Sequence, residues 1–154
     1  MRIGVISDTH GRFAQAVKKI FRGVDSIIHA GDIGALEVLE QLEEIAPTIA
    51  VNGNNDSFDG FPIRRVEEMM GYTVLVQHIF GELHQLDRSA RKVLEELHPN
   101  VVVFGHSHRP YSQMSGETLL FNPGSAGPRR FSLPRSVGLL KLDRKGIKPE
   151  IIYL

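Results

Sequence analysis

The sequence predicts an α/β fold in a single domain spanning residues 1–154, and three observations carry that expectation. Up to Phe58 the chain repeats short apolar runs followed by amphipathic stretches, the rhythm of βαβ units around a parallel sheet. Beyond Phe58 that rhythm gives way to two adjacent strand-like runs, which open a second sheet. Third, Val101-Val102-Val103-Phe104 reads as a strand buried on both faces, and it leads directly into Gly105-His106-Ser107-His108. Ligands in open α/β sheets sit beyond the carboxyl ends of the strands, so a site is expected there.

Composition narrows the classes. A chain of 154 residues with 42% hydrophobic content suits one core, and 18 basic against 18 acidic residues leave no global field toward nucleic acid or an anionic membrane. The absence of cysteine removes disulfides and thiol catalysis and fits a reducing compartment. The N-terminal apolar run is too short for a signal peptide or a membrane span, so the expectation is a cytoplasmic protein without a membrane partner.

Taken in order, residues 2–7 read as a central strand that ends at Asp8-Thr9-His10-Gly11, a carboxylate and an imidazole at one strand exit. Phe13, Ala16, Val17, Ile20 and Phe21 form a helical stripe that should pack on the sheet. Residues 26–30 give the second strand, which runs into Gly31-Asp32, where glycine permits a tight turn that brings the carboxylate forward. His29, inside that strand, reads as a hydrogen-bonded residue behind the site. The first turn lacks a glycine fingerprint, which argues against dinucleotide binding.

Leu36, Leu39, Leu42 and Ile45 mark a second helix, stopped by Pro47, and residues 48–51 a strand ending in Asn52-Gly53-Asn54-Asn55-Asp56. Residues 63–69 and 72–77 then predict a hairpin whose second strand ends at His78. A third helix is expected over residues 89–98, with His98 favourably placed against the dipole at its C-terminus. After His108 the runs near 112, 118–121, 136–142 and 148–153 read as a meander, and Asn122-Pro123-Gly124-Ser125 as a turn able to approach the site.

Asp8, His10, Asp32, Asn54, His78, His106 and His108 therefore all follow strand ends. Seven oxygen and nitrogen donors exceed one tetrahedral zinc and suit two metals that share a bridging carboxylate. Donors of this type, without sulfur, accept manganese, iron, zinc or nickel.

The series Asp8-x-His10, Gly31-Asp32, Gly53-Asn54-x-Asp56, His78 and Gly105-His106-x-His108 resembles the calcineurin-like metallophosphoesterase superfamily, and in length is similar to its small YfcE-type phosphodiesterases. The resemblance implies a four-layer α/β/β/α sandwich with two mixed sheets and a dinuclear centre at one edge. It further implies Asp8, His10 and His108 on the first metal, Asn54, His78 and His106 on the second, Asp32 as bridge, and manganese as the leading cofactor. Asp32, Asn54 and His106 then stand closest to the chemistry, attack on a phosphate ester by a hydroxide between the metals. Two dications less Asp8, Asp32 and hydroxide leave about +1, which matches a singly charged diester better than a monoester. A small phosphodiester, a nucleotide among the candidates, is the expected partner, and a homodimer is left open. The alternatives are a phosphomonoesterase and a protein-binding scaffold similar to the small retromer subunit; the complete ligand set favours an enzyme.

Two positions depart from the family pattern. Asn55 stands where many members carry a histidine that assists the leaving group, and Ile79 follows His78 where glycine is usual, with His84 in reserve should His78 turn away. Asp56 reads as an orienting residue, and Arg109, Arg129 and Arg130 as surface cations, with contact to a substrate phosphate the alternative.

Overall fold

The computed structural model describes residues 1–129 and 132–154. Ten strands form two five-stranded sheets. In the first, β1 (Arg2–Ile6), β2 (Ser26–His29) and β3 (Thr48–Ala50) run parallel, and β9 (Ser136–Asp143) and β10 (Gly146–Tyr153) complete the order β10-β9-β1-β2-β3 by antiparallel pairing. The second has the order β4-β5-β6-β8-β7. There β5 (Tyr72–Gln77), β6 (Val101–Val103) and β8 (Thr118–Pro123) are parallel, with β4 (Arg64–Met69) and β7 (Pro110–Ser115) antiparallel at the edges. Both sheets are mixed.

Side-chain alternation explains why the strands read as continuous apolar runs. Val101, Val103, Val74, Val76, Leu119 and Phe121 meet Ile3, Val5, Ile28 and Leu140 in the core between the sheets. Their neighbours Val102, Leu75 and Leu120 face the other way, against Ala90 and Val93 of α3 (Arg88–Leu97). On the far side, Ile6, Ile27 and Val137 meet Val17 of α1 (Ala16–Ile20) and Val38, Leu39 and Leu42 of α2 (Leu36–Glu43). A strand covered on both faces can be apolar throughout. The layers are thus α1 and α2, first sheet, second sheet, α3, as expected.

Close approach dictates one residue in the first layer. A Cβ at Gly4 of β1 would fall 2.8 Å from the Phe21 ring, so this strand position has no room for a side chain under the helix. Phe21 itself is fully buried, worth about 2–3 kcal/mol of apolar transfer.

Two expectations need correction. The first helix covers only Ala16–Ile20, because Gln15 supplies no side-chain cap and a helix so short depends on packing for its extent. Phe13 and Ala14 still pack against the core as loop residues. The late strands are two hairpins in different sheets, since β8 joins β6 in parallel while β9 crosses back to lie beside β1. Apolar periodicity identifies a strand but carries no information about its neighbour. The hairpin of β4 and β5 and helix α3 form as expected; α3 is capped by Asp87, whose carboxylate accepts from the Ala90 N–H at 2.7 Å.

Candidate metal centre

Six parallel strands, three from each sheet, end at one edge of the sandwich, and the loops that follow are laced together by backbone hydrogen bonds. Asp8 N–H donates to Gly31 O (3.0 Å), His10 N–H to Asp32 O (3.0 Å), Gly105 N–H to His78 O (3.0 Å) and Gly127 N–H to Asp8 O (3.1 Å). Among the described residues seven non-glycine positions have positive φ, and five of them are Asp8, His10, Asp32, His106 and His108. Each such residue costs on the order of 1–3 kcal/mol, and strain of this kind concentrates where geometry serves function. The left-handed turns point the side chains at one another immediately after the strands stop.

Asp8 lies at the centre. Its Oδ1 is 3.1 Å from His108 Nε2 and 3.8 Å from His78 Nε2, and its Oδ2 accepts the His106 N–H from the other sheet at 3.2 Å. Burial pushes its carboxyl up most strongly, but His108, His78 and Ser7 together outweigh it and hold the group below its ordinary value. Asp32 faces both histidine sets, with Oδ2 3.8 Å from His10 Nε2 and Oδ1 3.4 Å from His78 Nε2. His10 and His108 approach to 3.4 Å between their Nε2 atoms, and His106 Nδ1 lies 2.9 Å from Asn54 Oδ1. All seven residues singled out in the sequence therefore converge.

The donors fit a metal. Asp8, His10 and His108 form one group of mutually close ligand atoms, and Asp8, Asp32 and His78 another. Asp8 Oδ1 and His78 Nε2 are buried without a hydrogen-bond partner among the described residues. Such orphaned atoms, aimed at one point, are costly unless something fills the space between them.

A supporting layer was only partly legible. Asp56 behaves as an orienting residue: its carboxylate accepts from the N–H groups of Ile33, Gly34 and Gly53, each at 2.9 Å, and ties two ligand loops together. Buried His29 accepts the Gly31 N–H at Nδ1 and meets Thr9 Oγ1 at Nε2. Burial, opposed by Asp8 and Asp56, lowers its pKa to about 4. Asn122 and Ser125 were expected only as part of a turn. In fact Asn122 lies within β8 and donates to Gly105 O at 2.8 Å, while Ser125 donates to Asp8 O at 3.0 Å.

The two departures resolve differently. Ile79 needs no positive φ; Gly81 takes the left-handed turn two residues later, and His78 points inward with Nδ1 2.7 Å from Ala30 O. His84 is exposed and not needed. Asn55 turns toward Asp32 and donates to it twice, from Nδ2 at 2.6 Å and from its N–H at 3.0 Å. His98 takes the left-handed C-cap position of α3, a backbone role beyond the dipole effect expected. Arg109 and Arg129 are exposed, and Arg130 lies outside the described residues. No helix among the described residues is long and apolar enough to cross a membrane.

Comparison with known proteins agrees with this geometry. The calcineurin-like phosphoesterase superfamily domain matches residues 1–145. A probable metallophosphoesterase of Methanothermobacter thermautotrophicus is 36% identical over 161 residues, covering 99% of this chain and 92% of its own. Phosphodiesterase YfcE of Escherichia coli strain K12 is 30% identical over 172 residues, covering 93% and 89%. Among solved structures, an archaeal phosphodiesterase superposes with a TM-score of 0.80 at 23% identity, covering 99% of this chain and 100% of that one. Vps29 of Entamoeba histolytica, solved with zinc, superposes at 0.78 with 20% identity and 99% coverage of both; these two likenesses speak to the fold. The chain belongs to the calcineurin-like phosphoesterase superfamily.

Proposed function

We propose that the protein hydrolyses phosphodiesters with two divalent metal ions, manganese foremost, held by Asp8, His10 and His108 on one side, Asn54, His78 and His106 on the other, and Asp32 between them. The observation that carries this reading is Asp32, whose two oxygens face the two histidine sets from a nearly buried position. Two such ions would activate water near neutral pH and draw charge from the phosphoryl oxygens. The protein's own contribution is orientation. Asn55 fixes the Asp32 carboxylate, Asp56 fixes the loops that carry Asp32 and Asn54, and Ala30 O fixes the His78 ring. Asn54 adds a neutral donor, so the site carries only the negative charge of Asp8 and Asp32. That balance favours a singly charged diester. The fold likeness to Vps29 leaves a scaffold as the competing reading.

The test is hydrolysis of bis(4-nitrophenyl) phosphate and 4-nitrophenyl phosphate by manganese-loaded protein, alongside metal-free protein and Asp32→Asn. Diester turnover that depends on metal and falls about a thousandfold in Asp32→Asn is the expected result. A protein that binds two metals per chain and cleaves neither ester supports the scaffold. Absence of metal binding by atomic emission would refute the ligand assignment.

A further inference from the structure

Beside the His10 and His108 side of the centre lies a cleft of about 490 Å³ whose polar walls are three arginines, Arg12, Arg129 and Arg135. Its position is tied to the site. Arg12 comes two residues after His10, its N–H donates to Thr9 O, and the wall residue Gly127 donates its N–H to the carbonyl of Asp8. The floor is apolar, because Phe13, Ala14 and Leu154 pack against the core beneath the first sheet.

Among the described residues no carboxylate lies within ion-pair reach of Arg12, Arg129 or Arg135. Arg135 is half-buried, and the Ala126 carbonyl accepts from its Nη2 at 2.6 Å and its Nε at 3.2 Å. Three like charges around one apolar floor repel each other until an anion enters. The opposite flank has the reverse character: a groove of about 230 Å³ beside His106 is lined by Glu82 and Asp87, with no lysine or arginine among its described lining residues. The molecule as a whole has no net charge, so this asymmetry is local.

Resting on the phosphodiesterase reading, we propose that the arginine cleft is a second anion site, which receives an additional phosphate carried on the arm of the diester that lies toward His10. Planar guanidinium groups bind phosphate through paired N–H donors, which an isolated surface lysine cannot match. The preferred substrates are then diesters with a phosphate on one arm, such as nucleotide esters phosphorylated elsewhere on the sugar.

The test compares thymidine 5′-(4-nitrophenyl phosphate) with its 3′-phosphorylated counterpart, which differ only in the added phosphate. In the manganese-loaded protein at low ionic strength the 3′-phosphorylated ester is expected to have kcat/KM about tenfold higher, and in Arg12→Gln/Arg129→Gln the ratio between the two esters falls to about one. In parallel, calorimetry of thymidine 3′,5′-bisphosphate on metal-free protein reads the cleft without turnover; binding should weaken roughly fivefold or more in the double variant. Equal kcat/KM for the two esters in the unaltered protein overturns the proposal and leaves the phosphodiesterase reading intact. If neither ester is cleaved, the phosphodiesterase reading falls. The calorimetry then decides the cleft, and bisphosphate binding that is absent or unchanged in the double variant overturns it.

Discussion

Asp56 touches no candidate ligand atom, yet it accepts three backbone N–H groups from the two loops that carry Asp32 and Asn54. Charge-assisted bonds of this kind are worth about 1.5–3 kcal/mol each, and partial solvent exposure reduces the sum. Asp56→Ala should therefore lower stability by on the order of 3 kcal/mol and weaken metal binding, both visible in urea titrations with and without manganese. An unchanged urea midpoint would contradict this role. His29 gives a pH signature. Its folded pKa is about 4 against 6.5 in the unfolded chain, so the unfolded state takes up a proton first as pH falls. Its contribution is complete above about pH 6.5 and is lost progressively toward about pH 4, a change on the order of 3 kcal/mol. Metal-free protein should lose stability across that window, and His29→Gln should flatten the loss. Asn55 bears on chemistry. It offers no acidic proton and its amide is engaged with Asp32, so alkyl diesters should react at least about a hundredfold more slowly than aryl diesters. Equal rates for the two would show that another group protonates the leaving oxygen.

At the scale of elements, the strand ends need glycine where the two sheets come together. A Cβ at Gly105, just after β6, would collide with Ser7 Oγ and lie 2.7 Å from Asp8 Oδ2, and one at Gly31, after β2, would lie 2.8 Å from the His78 ring. Gly105→Ala is predicted to push apart the β1 and β6 ends and to lower metal affinity tenfold or more, by about 1.4 kcal/mol at least. Near-native far-UV circular dichroism should separate this from unfolding. Much at this scale was legible in the sequence. Strands β1 to β6 and helices α2 and α3 stand where apolar period and punctuation put them, because those runs alternate between two cores. The extent of α1 was not, since Phe13 and Ala14 continue its apolar stripe yet pack against the core from the loop before it.

For the whole molecule, the two sheets meet through an apolar core, and the centre joins them at one edge. A ligand that binds the folded state alone stabilises it by about 2.7 kcal/mol at a hundred times its Kd. Manganese should therefore raise the thermal midpoint of the unaltered protein, and much less that of Asp32→Asn, whichever ester it cleaves. An identical rise in both would place the metal elsewhere. By itself the sequence determined the α/β class, the two-sheet plan and the seven residues that gather at one edge, because strand ends in such folds point to one edge and residue type declares its chemistry. Which strands neighbour one another was decided only in three dimensions, and with it the convergence of Asn122, Ser125 and Gly127 on Asp8 and Gly105. So was the arginine cleft, where Arg12 meets Arg129 and Arg135 from the other end of the chain with no shared period. Long-range pairing follows from the packing of faces, and no local pattern of residues encodes it.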